Sequence, residues 1–271
     1  MTLQENTMSL ARELLIPGEI IREMPTVWKE LDMAKLSPLM YSLSVHEESE
    51  AAYKKLAEIV GDSNPKGLKM LICQLCAALE TREQYFLKDI PDSIFIETML
   101  CYARFINEHM QMYGSYGFDR GWWTWRQLSM RLFRLGVLEF ELRDDIISVH
   151  IPSDAVMTAE ALRESYDRAK AFYAKQDITH NGIYCGTWLL SPVLKEILPP
   201  ESRILNFQRD YEILELFPES KGFMRWVFAK EYGQGTCDLT LLPEETTLQR
   251  GIKKLLLAGK TVGDARGRYM Y

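Results

Sequence analysis

Between Leu138 and Ile151 the chain alternates apolar and polar residues on both sides of a single Asp144-Asp145 pair, a pattern that leaves the backbone little choice. A two-residue turn there pairs Leu142 with Ile147, Phe140 with Val149 and Leu138 with Ile151, so every apolar side chain falls on one face. A turn one residue longer scrambles the faces. The register sets Glu139 opposite His150 and Glu141 opposite Ser148 on the second, polar face. A sheet is therefore required here, with an apolar face to be covered and a polar face that carries two carboxylates and an imidazole.

Upstream of this hairpin the period is helical. Residues 45–60 read as a helix opened by a Ser44/Glu47 capping box and closed at Gly61, with a Gly-Asp-Ser-Asn-Pro turn behind it. Residues 67–80 and 94–110 place apolar side chains at steps of three and four, with Pro91 between them. Four or five packed helices are expected before about Tyr113, where glycines and aromatics concentrate and the period changes to two. The domains are accordingly set at 1–118 and 119–271. A chain of 271 residues has room for both.

Beyond the hairpin, residues 158–175 read as a helix capped by Thr158, with Leu162, Tyr166, Ala169 and Tyr173 in one stripe. A strand over 183–190, a short helix opened by Ser191-Pro192, strands over 207–216 and 223–230, and a helix with a Thr246/Gln249 capping box that ends at Gly259 complete the reading. This order makes the second domain a mixed α/β layer.

Composition narrows the function classes. Hydrophobic residues at 47% and charged residues at 26% fit an ordinary globular chain. A net charge of -6 has the wrong sign for a nucleic-acid binder, although a small anionic ligand needs only two or three local donors. No apolar run approaches the roughly 20 residues of a membrane span, and the first residues lack a secretory pattern, so no membrane partner and a cytoplasmic location are expected. Cys73, Cys76, Cys101, Cys185 and Cys237 form an odd, scattered set that suits reduced thiols, and Cys73-x-x-Cys76 within an apolar helix suits packing. His46, His109 and His180 are too isolated for a metal site. No Gly-rich phosphate loop, H-E-x-x-H or carboxylate cluster points to a nucleotide or metal enzyme.

Several strings, taken together with the element order, resemble the GNAT-like acyltransferases that carry a helical N-acyltransferase domain ahead of a GNAT-like domain. They are Trp122-Trp123-Thr124-Trp125-Arg126, the stretch from Phe133 through Gly136 to Phe140, His150-Ile151-Pro152-Ser153, Cys185-Gly186-Thr187-Trp188, Asn206-Phe207-Gln208-Arg209, and 242–250. The resemblance implies an α+β chain: a helical N-terminal domain followed by a GNAT-like domain with a central, mostly antiparallel sheet. It implies an acyl-CoA or acetyl-CoA co-substrate whose pantetheine arm lies between two splayed strands, here 146–151 and 183–190. The backbone of Val149 and Ile151 is then expected to hold pantetheine, with Ser153 and Thr158 at the phosphates. Where that family usually has a glycine loop, this chain has Ser153-Asp154-Ala155-Val156-Met157-Thr158.

The acceptor implied is a small molecule, such as an amine, attacked directly. His150 is the expected base, because imidazole titrates near neutrality, and Glu139 the expected orienting group. A polar cross-strand pair on a hairpin is the plainer reading of the same residues. Cys185 as a nucleophile requires a neighbouring cation. Trp122, Trp123, Trp125, Tyr113, Tyr116 and Phe118 suit an acceptor pocket or simple packing. Lys253, Lys254, Lys260, Arg266 and Arg268 form a basic cluster that suits a phosphorylated ligand or a solvated face. The second functional reading is a GNAT fold kept as a binding or interaction module.

Overall fold

The computed structural model describes residues 1–61, 66–233, 235 and 238–270. The chain divides into two compact units, Met1–Arg134 and Leu135–Tyr271, and the division falls inside the strand β1 (Leu132–Leu135).

Among the described residues the first unit is built of eight α-helices, more than the four or five expected: α1 (Leu3–Glu13), α2 (Gly18–Trp28), α3 (Met33–Leu43), α4 (Ser49–Val60), α5 (Leu68–Leu87), α6 (Asp92–Met99), α7 (Cys101–Tyr113) and α8 (Gly121–Leu128). α5 is its axis. Leu71, Ile72, Cys73, Leu75, Cys76, Ala77 and Ala78 are all buried, so the helix is covered on every side, with α1, α2, α3, α4, α6 and α8 packed around it. The one buried amide in that run, Gln74, donates to the Gly121 carbonyl at 3.0 Å and accepts from the hydroxyls of Thr124 and Tyr102. α8, with its three tryptophans, is thereby tied to α5 within this unit.

Ser44 does not open α4. Its hydroxyl donates to the Tyr41 carbonyl and closes α3, and α4 begins at Ser49. The expected close at Gly61 holds, with φ 58°, while the turn expected over 62–65 lies outside the described residues.

In the second unit β2 (Leu138–Arg143) and β3 (Ile146–His150) form the hairpin in the expected register, with Glu139 paired to His150, Phe140 to Val149, Glu141 to Ser148 and Leu142 to Ile147. Asp144 sits at φ 51°, in the left-handed region that a tight two-residue turn demands. α9 (Ala159–Lys175) follows, capped by the Thr158 hydroxyl, which accepts from the Ala161 N–H at 3.3 Å. Its stripe of Leu162, Tyr166, Ala169 and Tyr173 is buried. β4 (Ile183–Thr187) then runs parallel to β3, the arrangement a crossover helix permits.

The remainder is α10 (Arg203–Gln208), β5 (Tyr211–Phe217), α11 (Phe223–Val227), α12 (Ala229–Gly233), α13 (Thr247–Leu257) and β6 (Asp264–Tyr269), with short 3-10 turns between. The sheet order is β1-β2-β3-β4-β6-β5, antiparallel except between β3 and β4 in the pairings recorded. The α13 capping box from Thr246 and Gln249 is formed as expected.

The strands expected over 183–190 and 207–216 are shorter than that, because Trp188–Leu190 and Arg203–Gln208 are helical turns, and two further expectations fail. The segment expected as a strand over 223–230 is helical, because Phe223 and Phe228 turn into a local core with Leu194, Leu205, Leu242, Ile252, Leu255 and Val262 that a five-residue helical turn serves. β6 was not expected at all, and it lies inside the sheet between β4 and β5. No helix among the described residues is long and apolar enough to cross a membrane.

Candidate active site

The two faces of the sheet are chemically opposed. On the α9 face, the row Phe140, Val149, Cys185 and Gly267 runs across β2, β3, β4 and β6. Aromatic rings seal it: Tyr166 of α9 lies 5.8 Å from Phe140 and stacks on Tyr269 at 3.8 Å, and its hydroxyl meets that of Tyr211. Burial pushes both of these phenols well above their ordinary range.

The opposite face is polar. Alternation places Glu139 and Glu141 of β2, Ser148 and His150 of β3, Tyr184 and Gly186 of β4, and Arg266 and Arg268 of β6 side by side. Glu139 stands directly across from His150, as expected, and both β2 carboxylates are buried at 3% exposure. The carboxylate found 2.8 Å from His150 Nε2, however, is that of Glu141, one pair along on the same face. Diagonal neighbours on a sheet lie within reach of long side chains, a contact that direct cross-strand pairing does not reveal. Arg143 donates to the same Glu141 oxygen at 2.8 Å. Where Glu141 is ionised it can only accept, so this contact assigns the donor role to Nε2.

β3 and β4 are parallel neighbours whose paired register ends at Val149 and Cys185, although β3 runs on to His150 and β4 to Thr187. The two strands part at that point, and the fork carries His150 and Ile151 on one arm and Gly186 and Thr187 on the other. Gly186 is exposed, and a Cβ built on it meets nothing within 4 Å.

Beyond the β3 arm, the Ala155 N–H donates to the Pro152 carbonyl and the Thr158 N–H to the Val156 carbonyl, so this segment turns part of its own backbone inward. In the first turn of α9, the cap takes the Ala161 N–H, and the Leu162 N–H bonds the Thr158 carbonyl. The N–H groups of Ala159 and Glu160 are the ones that an anion at this helix end would meet.

The other singled-out residues fall in structural settings. Cys185 is buried, its S–H donates to the Val149 carbonyl at 3.4 Å, and burial pushes the thiol up to about 12, which removes it as a nucleophile at neutral pH. Cys76 lies 3.4 Å from the Thr7 hydroxyl inside the helical unit, pushed up to about 11 by burial, beside an equally buried Cys73. Cys237 lies outside the described residues. Phe118 and Trp125 are buried, whereas Trp122 and Tyr113 are exposed. His109 meets the Ser115 carbonyl at 2.7 Å, and His180 accepts from the Gly182 N–H at 3.2 Å.

The basic cluster disperses. Lys253 is spent on the Thr240 and Leu242 carbonyls, at 2.8 and 2.7 Å, and Lys260 pairs with Glu196. Only Arg266 and Arg268 among these cations share the His150 face, and because β6 escaped the sequence reading, this placement did too.

A helical module followed by a mixed sheet with one parallel, forked strand pair is the architecture of an acyltransferase. The family described as the N-acyltransferase N-terminal domain matches residues 5–130, and that described as the GNAT-like C-terminal domain matches residues 132–269. The chain belongs to the GNAT-like N-acyltransferases. An acyltransferase solved in complex with decanoyl-CoA and teicoplanin has a TM-score of 0.78 and 22% identity, over 98% of this chain and 87% of that one. A variant acyltransferase in complex with octanoyl-CoA gives the same figures, and an acyltransferase with CoA and an acylated teicoplanin gives 0.77 over 96% and 86%. No curated protein matches.

Proposed function

We propose that the protein transfers an acyl group from an acyl-CoA to an amine by direct attack, with His150 as the base. The amine nitrogen attacks the thioester carbonyl, the C–S bond breaks, and the proton lost by the amine passes to His150 and on to the departing thiolate. The observation that carries this reading is the 2.8 Å contact between His150 Nε2 and a buried carboxylate at the mouth of the β3–β4 fork. Such a contact fixes the tautomer and stabilises the imidazolium that proton uptake creates. Direct attack needs positioning and one base, both available here. Glu141 joins Glu139, the direct cross-strand partner of His150, as an orienting carboxylate.

The fork also supports the co-substrate. Past Val149 and Cys185 the two strands no longer share hydrogen bonds, so backbone groups of Val149 and Ile151 on one arm can pair with the amides of a pantetheine arm. Ser153 and Thr158 flank the α9 N-terminus, where Ala159 and Glu160 offer N–H groups to a phosphate. The similar acyltransferases carry acyl-CoAs in their structures, which favours the same donor here.

The inward-turned backbone of the 153–158 segment favours a second reading, in which the fold binds CoA weakly and catalyses nothing. Calorimetry with acyl-CoAs of increasing length, followed by thiol release with an amine panel, separates the two. Saturable binding and turnover are expected, with His150→Ala lowering kcat by roughly 100-fold or more at unchanged acyl-CoA affinity. Turnover unaffected by His150→Ala rules out the base, and absence of binding rules out the transferase.

A further inference from the structure

We infer that the acceptor is an amine that also carries a carboxylate, and that Arg266 and Arg268 bind that carboxylate while the amine faces His150. The inference rests on the transferase reading above and names the substrate class of the same site.

Both arginines are exposed and lie on β6, two strands from β3 and on the same face of the sheet as His150. The residue between His150 and Arg266 is Gly186, paired with Arg266 and bare of any side chain, with open space above it. Open space therefore lies over Gly186, between β3 and the base of Arg266.

Neither arginine is taken up by the carboxylates opposite it. Glu212 and Glu215 stand opposite Arg268 and Arg266 on the outer strand β5, and cross-strand ion pairs would be the ordinary outcome. The guanidinium of Arg266 lies instead over the Tyr184 ring of β4, 5.3 Å from its centroid. The Nε of Arg268 lies 3.4 Å from where a Gly182 side chain would begin, beside the Tyr184 ring. Both cations thus lean across β4, away from the β5 carboxylates and onto Tyr184 and Gly182. An arginine stacked on an aromatic face keeps its in-plane N–H donors available for a bidentate carboxylate, and the stacking limits the side-chain freedom that binding would otherwise cost.

The face is also polarised. Buried carboxylates of Glu139 and Glu141 stand at the β2 side and guanidiniums at the β6 side, so a zwitterion is oriented with its amine towards His150 and its carboxylate towards β6. In a chain of net charge -6, an anionic acceptor needs such a local cationic patch. The phosphates of a CoA fit the patch less well. The α9 N-terminus, where they would lie, follows the crossover to the opposite face of the sheet from the arginines.

The test uses the full chain and an acyl-CoA that binds. Initial rates are compared for amino acids with their carboxylate free or converted to the amide, in α-, β- and γ-amino forms, with wild type and with Arg266→Ala and Arg268→Ala. Calorimetry with the acyl-CoA and with CoA lacking its 3′-phosphate runs alongside.

The expected result is a kcat/KM about tenfold or more higher for the free acids, carried by KM, with the preference lost in Arg266→Ala while the affinity for acyl-CoA is unchanged. Equal use of acids and amides by the wild type overturns the inference and leaves the transferase intact. Loss of CoA affinity in the arginine variants, diminished when the 3′-phosphate is absent, assigns the patch to the donor and also overturns it. Failure of the wild type to bind any acyl-CoA removes the transferase reading, and this inference with it.

Discussion

One oxygen of Glu141 receives both His150 and Arg143, and the two donors make different demands on it. Arg143 is half exposed, so its share of the contact is solvent-screened and worth little to stability, whereas the His150 contact is part of the chemistry. Glu141→Gln is expected to lower kcat about tenfold or more with unchanged acyl-CoA affinity, while Arg143→Ala leaves kcat within a few-fold; steady-state rates with calorimetry separate the two. Gly186 invites the converse experiment. Because nothing lies above its Cα, Gly186→Val leaves the thermal midpoint near its wild-type value yet fills the open space beside β3, so acceptor KM rises while the melting curve stays in place.

At the scale of elements, what could be read depended on how loudly each segment spoke. The β2–β3 hairpin was legible because strong hydrophobes alternate with charges around a two-residue turn, and α9 and α13 were legible from Thr158 and from the Thr246/Gln249 box. β6 alternates as faithfully, with Ala265 and Gly267 on one face and Arg266 and Arg268 on the other, but alanine and glycine carry almost no apolar signal. The helix at Phe223 was misread because five residues rich in aromatics look alike in either period. Glu141 went unnoticed as a second carboxylate for His150 because register reports direct partners and not the diagonal reach of a long side chain.

The α9 face makes its own prediction. The phenols of Tyr166 and Tyr211 are raised well above the usual tyrosine range by burial, while in the unfolded chain they ionise near pH 10. Their contribution to stability is therefore complete below about pH 10 and is lost as pH climbs beyond it. Alkaline unfolding should coincide with a rise in tyrosinate absorbance, and Tyr166→Phe should weaken the pH dependence. In the helical unit, Gly67 sits at φ 66° with the Phe118 carbonyl oxygen 1.9 Å from where a Cβ would stand. Gly67→Ala is expected to destabilise that unit by about 3 kcal/mol, read from denaturant midpoints.

Across the whole molecule, the thiols report on packing in both units at once. Cys76 and Cys185 are buried and pushed up to about 11 and about 12, so a thiol-alkylating reagent at pH 8 should leave both unmodified in the native protein and label them once denaturant is added, as peptide mass spectrometry can follow. Partial native labelling of Cys185 alone would indicate opening of the sheet in the second unit without the helical core. The seat of β6 carries a further consequence. It is the last of the six strands to leave the ribosome, yet it belongs between β4 and β5, so during synthesis β5 has no neighbour to join and the sheet waits as two unconnected pieces. The arginines of the polar face ride on that late strand, so whatever Arg266 and Arg268 recognise can be held only after the final strand has been threaded home.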